Sequence, residues 1–183
     1  IPLAKAHATD IGCEVASIGV QVHGGMGFIE ETGAAQHYRD ARIAPIYEGT
    51  NGIQAADLVG RKLGMAGGDG IRSLIDDIAR GAADFPELAQ LAEACRHVTD
   101  WLETANIADR LAGSYPYLTM LSTATCGWLM ATQHKAAEAA LASGGVEPRP
   151  QGDVGGLGGA GEQAHLCGLD GMVGVGKDRK SVV

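Results

Sequence analysis

The sequence predicts an all-α fold. Apolar residues recur at alternating spacings of three and four along several long segments, which places them on one side of a helix. Aromatic residues make up only 4% of the 183 residues, while Ala and Gly are plentiful, and this composition suits close-packed helices better than a sheet. Glycines, prolines and capping residues separate the segments, so the ends of each helix can be predicted.

The first helix is predicted over residues 3–22. Gly12 and Gly19 would allow a neighbouring helix to approach it closely. Gly24 and Gly25 end the helix, because glycine adopts the left-handed end conformation without steric cost. Its apolar residues are expected to form one stripe that faces a core. That stripe consists of Ala4, Ala8, Ile11, Val15, Ile18 and Val22.

Two shorter helices should follow. Thr32 can cap a helix that runs to about Ala41. Pro45 prevents its continuation, so residues 42–49 are expected to form a connecting loop. A third helix then starts with one of two good capping residues and runs to about residue 63. The two candidate caps are Thr50 and Asn51.

Residues 71–143 are predicted to form three antiparallel helices, joined to the first part by the Gly-rich segment 64–70. Asp69 can cap the first of these helices. Pro86 suits the first turn of the second helix, and Pro116 opens the third. The predicted inward positions include Ile71, Leu74, Ile75, Ile78, Leu88, Leu91, Cys95, Val98, Leu102, Leu118, Leu121, Ala124 and Trp128.

The last part of the chain, residues 144–183, is expected to be disordered or artefactual. It is rich in Gly and has few large apolar residues, so it cannot bury enough surface to offset the entropy of ordering. Its final six residues, DRKSVV, resemble the translation of a sequencing adapter, and a frameshift after about Ser143 would explain the change in composition.

Composition and charge exclude several classes of function. The net charge of −8 and the lack of a Lys/Arg cluster argue against nucleic acid or an anionic membrane as a partner. No stretch of about 18 apolar residues occurs, so membrane insertion is not expected. No secretory leader pattern is present, and we expect a cytoplasmic protein. No histidine has a ligand partner at helical spacing, so no metal site is expected.

Two motifs can carry chemistry. The first helix ends on a Gly-rich turn whose backbone N–H groups could approach a phosphate, although a glycine pair here can also be a simple helix cap. Glu48 lies at the tip of a loop just before a helix, between Tyr47 and Gly49. A carboxylate beside an aromatic ring can serve as a general base, and it can equally be an acid stabilised by the following helix dipole.

These motifs together resemble the C-terminal signature of the acyl-CoA dehydrogenase family. QVHGGMGF starts at Gln21 and YRDARIAPIYEGTNGIQ starts at Tyr38, and the resemblance runs through residues 1–63. It implies that residues 1–63 form the end of the family's C-terminal four-helix bundle, which follows an N-terminal helical domain and a middle β-domain. Residues 64–143 resemble a helical extension found in one bacterial branch, where it serves subunit packing. Members of that branch act on long-chain acyl-CoA or methylthiopropanoyl-CoA.

The resemblance implies a dehydrogenation that converts acyl-CoA to trans-2-enoyl-CoA. Glu48 would be the general base that removes the α proton while the β hydride moves to FAD. The Glu48 amide would hydrogen-bond the thioester carbonyl as negative charge develops on it. Tyr47 would line the acyl pocket, and Gly49 would leave room for the substrate beside the backbone.

The resemblance also implies how FAD is held. One segment of the family contacts the adenosine-diphosphate part of FAD from a neighbouring subunit, which requires at least a dimer, either a homodimer or a homotetramer. Many members have Gln where Gly52 stands, so a side-chain contact is not expected there. An electron-transferring flavoprotein would accept the electrons. The matching cofactor positions are Gln21, Val22, His23, Gly24, Gly25, Thr50, Asn51 and Gly52.

Two other functions stay open on the sequence. A helical assembly module without catalysis would make Glu48 dispensable. A related flavin acyl-CoA oxidase would pass electrons to oxygen and release peroxide. As an acyl-CoA dehydrogenase, the chain as given lacks the expected β-domain and N-terminal helices and is not expected to bind FAD tightly or turn over substrate alone.

Overall fold

The computed structural model of the chain describes residues 1–144, and every regular element in this range is helical, which confirms the predicted all-α class. Apart from residue 144, the tail predicted over residues 144–183 lies outside the described residues. The α-helices are α1 (Pro2–His23), α2 (Gly25–Phe28), α3 (Ala34–Ala41), α4 (Asn51–Asp57), α5 (Asp69–Gly81), α6 (Pro86–Thr104), α7 (Ile107–Ala112) and α8 (Ser114–Ala142).

The longest helix of the first part, α1, extends one residue beyond each end of the predicted range 3–22. Pro2 occupies its first turn, where a missing N–H costs nothing. Gly24 ends it with a φ of 61°, and the Gly24 N–H donates to the Gln21 carbonyl at 3.0 Å. This helix packs against α2, α3, α4 and α8, so it connects both ends of the described chain.

The predicted inward stripe of α1 is exposed among the described residues, and that prediction is wrong for this part of the chain. Its two alanines are exposed, and its larger members are 43% to 79% exposed. Pro2, Ala6 and Cys13, on another face, are the positions that α1 buries. The reason is physical: a spacing of three and four marks an apolar face but does not identify what covers it. The exposed large members are Ile11, Val15, Ile18 and Val22.

The start of α3 differs from its prediction by one capping residue. Gly33, with a φ of 77°, is the N-cap, and Thr32 ends a preceding 3₁₀ turn. The Thr32 hydroxyl still accepts from the Ala34 N–H at 3.4 Å, so the predicted polar contact is present but displaced. Thr50 caps α4 as predicted, since its hydroxyl accepts from the Ile53 N–H at 3.3 Å.

A π-helical turn follows α4. It covers Leu58–Lys62, and the Leu63 N–H donates to the Leu58 carbonyl at 2.8 Å, five residues back rather than four. Leu58, Val59 and Leu63 are all buried. The wider turn therefore lies where the chain enters the core, with these three apolar side chains on its buried side.

The predicted three-helix region is present as α5, α6 and α8, with one additional short helix, α7, before α8. Pro86 occupies the first turn of α6 as predicted. The last helix starts at Ser114, two residues before the predicted Pro116. Inside this region the hydroxyls of Thr99 and Tyr117 share a buried hydrogen bond of 2.7 Å, and burial raises the pKa of Tyr117 to about 12.

Both parts of the chain contribute to one hydrophobic core. Its largest fully buried side chains belong mainly to α5, α6 and α8, and the first part adds Ala6, Ala55 and the residues of the π-helical turn. The division of the chain after residue 63 therefore remains a prediction about sequence regions, since helices from both sides share this core. The fully buried set includes Tyr117, Ile75, Ile78, Leu102, Leu118, Leu121 and Val59.

Candidate functional site

Glu48 lies at the tip of the loop between α3 and α4. Its φ of 56° makes it the single non-glycine residue with positive φ among residues 1–144, and Gly49 follows with a φ of 84°. A left-handed conformation costs a non-glycine residue about 1–2 kcal/mol. The contacts around the loop therefore have to hold Glu48 in this conformation.

Backbone contacts close the loop on both sides of Glu48. The Asn51 N–H donates to the Pro45 carbonyl at 3.0 Å, which brings the two ends of the loop together. The Gln54 side-chain amide donates to the Glu48 carbonyl at 3.1 Å. The first turn of α4 thus fixes the loop that precedes it.

Asn51 attaches α4 to the N-terminal half of α1. It is only 4% exposed, and each polar atom of its side chain has a partner. The Asn51 amide nitrogen lies within hydrogen-bond distance of the Ala6 carbonyl (3.1 Å), the Thr9 hydroxyl (2.9 Å) and the Asp10 carboxylate (2.8 Å). Because this side chain is committed to α1 and the Asn51 N–H to the Pro45 carbonyl, neither donor of Asn51 is free for the cofactor contact predicted from the sequence.

Lys5 joins this anchor to the loop. Its ammonium donates to the Asn51 side-chain oxygen at 2.8 Å and to the Gly49 carbonyl at 2.9 Å. The Glu48 carboxylate, by contrast, is exposed and makes no hydrogen bond or ion pair with any residue the structure describes. Tyr47 beside it is 51% exposed. The backbone is fixed while the acid remains accessible.

The two glycines that follow Glu48 differ in what the fold requires. Gly49 has a positive φ, and an added Cβ would lie 3.3 Å from the Gln54 amide nitrogen, so glycine is needed there. An added Cβ at Gly52 would meet only the Thr50 hydroxyl, at 3.9 Å. The structure therefore has room for a larger side chain at Gly52, and nothing local requires glycine.

The second predicted segment, Gln21 to Gly25, lies at the C-terminal end of α1. All five of its residues are exposed. An added Cβ at Gly24 or Gly25 would meet nothing within 4 Å, so a flat group or a phosphate could approach the backbone at these positions. The His23 ring nitrogen Nδ1 lies 2.8 Å from the Gly19 carbonyl, and Val22 is 79% exposed.

A groove of about 650 Å³ opens beside this segment, between α1 and α3. Gln21 is the one predicted cofactor residue that lines it. Gly27 supports the groove, because an added Cβ there would lie 2.3 Å from the Val20 carbonyl oxygen. The sequence analysis missed Gly27 as a close-packing position, although the repeated glycines of GGMGF were a usable signal. The other lining residues include Phe28, Ile29, Tyr38 and Arg39.

The two predicted segments lie at opposite ends of α1. The loop with Glu48 contacts Lys5, whereas Gln21 lies 16 residues further along the helix. At a rise of 1.5 Å per residue the separation along the helix axis is about 24 Å. The fold therefore does not bring the two segments together around one small group within a single chain.

Residues 1–144 also lack two other kinds of feature. They contain no group of three or more His, Cys, Asp and Glu residues that could hold a metal ion. None of the helices described is both long enough and apolar enough to cross a membrane.

Two family models match the chain. Residues 1–63 match "Acyl-CoA dehydrogenase, C-terminal domain", and residues 75–154 match "Acetyl-CoA dehydrogenase C-terminal like". The first match contains both predicted site segments. The second contains most of α5 and all of α6, α7 and α8.

Several curated proteins are similar in sequence. A 3-methylmercaptopropionyl-CoA dehydrogenase of Ruegeria pomeroyi is 47% identical over 159 residues, which is 79% of this chain and 27% of that protein. A butyryl-CoA dehydrogenase of Syntrophomonas wolfei is 32% identical over 162 residues, 80% of this chain and 26% of that protein. The human mitochondrial short-chain specific acyl-CoA dehydrogenase is 43% identical over 61 residues, 33% of this chain and 15% of that protein.

The relatives differ in how much of the chain they match. The similarity to the human protein covers about a third of the chain, while the two bacterial proteins match about four fifths of it. The chain spans about a quarter of the length of these bacterial relatives. With both family models matching and an all-α fold, the chain belongs to the acyl-CoA dehydrogenase family and corresponds to the C-terminal part of its members.

Proposed function

We propose that the full-length protein is an FAD-dependent acyl-CoA dehydrogenase that converts acyl-CoA to trans-2-enoyl-CoA, with Glu48 as the general base. The observation that carries this proposal is the conformation of Glu48. Its backbone is left-handed, its loop is fixed by contacts to α1 and α4, and its carboxylate is exposed and unpaired among the described residues. A base has to be held still and left free to reach the substrate.

The chemistry assigned to the chain's own residues is a proton transfer. Glu48 removes the proton from the carbon next to the thioester carbonyl. The Glu48 N–H stabilises the negative charge that develops on the carbonyl oxygen, which ties the base and the oxyanion donor to one residue. Gly49 allows the thioester to lie against the backbone, and Tyr47 lines the acyl side.

FAD, when bound, supplies the oxidising group that accepts the electrons removed from the substrate. The exposed segment Gln21 to Gly25 is proposed to hold its diphosphate part, and the open space at Gly24 and Gly25 fits that role. Thr50 and Gly52 are proposed to contact it near Glu48, and Asn51, whose amide groups are bonded within the chain, is proposed to hold these two residues in place. Since these segments lie at opposite ends of α1, we propose that each complete site takes one segment from each of two subunits, in a homodimer or homotetramer. An electron-transferring flavoprotein is the proposed acceptor.

The proposal is tested by changing Glu48→Gln in the full-length protein. The visible flavin absorbance is followed without oxygen after 3-methylmercaptopropionyl-CoA or butyryl-CoA is added. Loss of the base should slow flavin reduction by about 10²- to 10⁴-fold. Glu31→Gln is the matched control, because Glu31 is also exposed and forms no ion pair with residues 1–144.

Both variants should retain their flavin, and the control should react at the wild-type rate. Normal flavin reduction in Glu48→Gln would refute Glu48 as the base and favour a helical assembly module or a base elsewhere. Peroxide release in air at a rate matching turnover would instead identify an oxidase.

A further inference from the structure

A polar chain connects the C-terminal helices to the α1 anchor of the Glu48 loop. Tyr115 is the second residue of α8, and its hydroxyl donates a hydrogen bond to the Asp10 carboxylate of α1. The two residues are 105 positions apart in the sequence. Tyr115 is 39% exposed, so its ring is not simply part of the hydrophobic core.

The chain continues from Asp10 to the loop. The second oxygen of the Asp10 carboxylate accepts from the Asn51 amide at 2.8 Å. The Asn51 oxygen accepts from Lys5 at 2.8 Å, and the same ammonium donates to the Gly49 carbonyl at 2.9 Å. Four side chains thus form an unbroken series of hydrogen bonds from α8 to the carbonyl of Gly49, the residue after Glu48.

This series balances its own charge, because it contains one cation, Lys5, and one anion, Asp10. The hydrogen bonds to these charged groups are stronger than those between neutral groups, and each one restricts the next side chain in the series. Without these partners the Lys5 ammonium would move freely at the end of its flexible four-carbon side chain. With its ammonium fixed, the Gly49 carbonyl is held, and the strained conformation of Glu48 is held with it.

We propose that Lys5, Asp10 and Tyr115 are positioning residues for Glu48, so the C-terminal helical extension contributes to catalysis through Tyr115. The proposal rests on the proposed function of Glu48. It differs from the expectation that the extension serves subunit packing alone. Tyr115 itself touches no reacting atom in this account and acts through Asp10, Asn51 and Lys5.

The first test is Tyr115→Phe in the full-length, FAD-loaded protein. The change removes one hydrogen bond at the far end of the series and keeps the ring. Flavin reduction by 3-methylmercaptopropionyl-CoA should slow by about 2- to 10-fold, the range that one net hydrogen bond represents. The effect should fall on kcat, with KM and flavin content unchanged, because the variant changes the position of Glu48 and not the binding of substrate.

Tyr117→Phe is the matched control. It is the same change two residues along α8. It removes a hydroxyl that hydrogen-bonds Thr99 in the core, and it leaves the hydrogen bond between Tyr115 and Asp10 in place. It should lower stability and leave kcat unchanged. Equal losses of kcat in the two variants would overturn the proposal, since the effect would then come from general loosening of α8.

A double-mutant cycle with Lys5→Met provides the second test. Lys5→Met alone should slow flavin reduction by about tenfold, since a charge-assisted contact to the loop is lost. If both residues act through one series, adding Tyr115→Phe should slow the reaction little further. If the double variant is slowed by the product of the two single-variant factors, the proposal is overturned. Wild-type rates in both single variants would overturn it as well.

The measurements separate failure of this inference from failure of the proposed function. If Glu48→Gln abolishes flavin reduction while the Lys5 and Tyr115 variants react normally, Glu48 is the base and the series does not position it. If Glu48→Gln reacts normally, the proposed function itself is wrong, and the inference fails with it.

Discussion

The two ends of α1 differ in how firmly they hold a candidate functional segment. At the N-terminal end, buried Asn51 and the ammonium of Lys5 tie the Glu48 loop to the helix. At the C-terminal end, the segment Gln21 to Gly25 is exposed and borders an open groove. The fixed end suits a reacting group whose direction matters. The open end suits a surface that is completed by a partner outside the described residues.

The largest expected effect concerns Asn51, the centre of the fixed end. Asn51→Ala removes the partner of both Lys5 and Asp10 in a buried site, so it should destabilise the fold by about 3 kcal/mol. Gln21→Ala at the open end should change stability by less than about 0.5 kcal/mol. Urea unfolding of the full-length protein measures both changes, and equal midpoints would remove the contrast between the two ends.

The open end has one tightly packed position, Gly27. An added Cβ would lie 2.3 Å from the Val20 carbonyl oxygen, a backbone atom that cannot move aside cheaply. Gly27→Ala should therefore destabilise by about 2 kcal/mol. Gly25→Ala is the matched control, because its added Cβ meets nothing within 4 Å. Thermal unfolding of the two variants tests this, and a stable Gly27→Ala variant would mean that α2 is as loosely held as the residues before it.

Glu48→Gly should separate stability from activity at the fixed end. Glycine accepts a φ of 56° without steric strain, so the variant should gain about 1 kcal/mol of stability while losing the base. Glu48→Gln keeps a Cβ and should show the loss of activity without the gain. Urea midpoints and flavin reduction rates of the two variants provide the comparison. A less stable Glu48→Gly variant would indicate that the carboxylate itself supports the fold.

The smallest expected effect is a response of the fixed end to alkaline pH. Partial burial and the hydrogen bond to Asp10 raise the pKa of Tyr115 above its ordinary value of 10.0. Because the folded pKa is raised, this contribution to stability is fully present below pH 10 and is lost as pH rises through the folded value. Urea unfolding of wild type and Tyr115→Phe at a series of alkaline pH values measures it. An identical alkaline stability profile in both proteins would contradict the expectation.

Local signals predicted much of this fold. Pro86 and Gly24 mark helix ends through their backbone chemistry and Thr50 through its side-chain hydroxyl, and the structure has helix ends at each of them. The short helix α7 was missed, although Asn106 caps it by accepting from the Asp109 N–H. Its six residues carry too little periodicity to be recognised as a helix.

The supports of the candidate site could not be predicted in the same way. Lys5 and Asn51 are 46 residues apart, and Tyr115 is 105 residues from Asp10. No local pattern marks such pairs, because they meet only after the helices pack. The apolar stripe of α1 failed for a related reason, since periodicity indicates a buried face without indicating the partner that buries it.

The π-helical turn at Leu58–Lys62 has a consequence for how the chain tolerates changes in length. A turn of this kind holds one residue more than an α-helical turn, and deletion of one residue there could restore regular winding. Each residue of an α-helix turns the chain by about 100°. Inside the turn, such a deletion would leave Leu63 four residues after Leu58, a spacing that keeps both side chains on one face of an α-helix, so Leu63 would stay in the core. The same deletion inside α4 would rotate every later residue by about 100°, so the turn is where this segment can change length without redirecting α5.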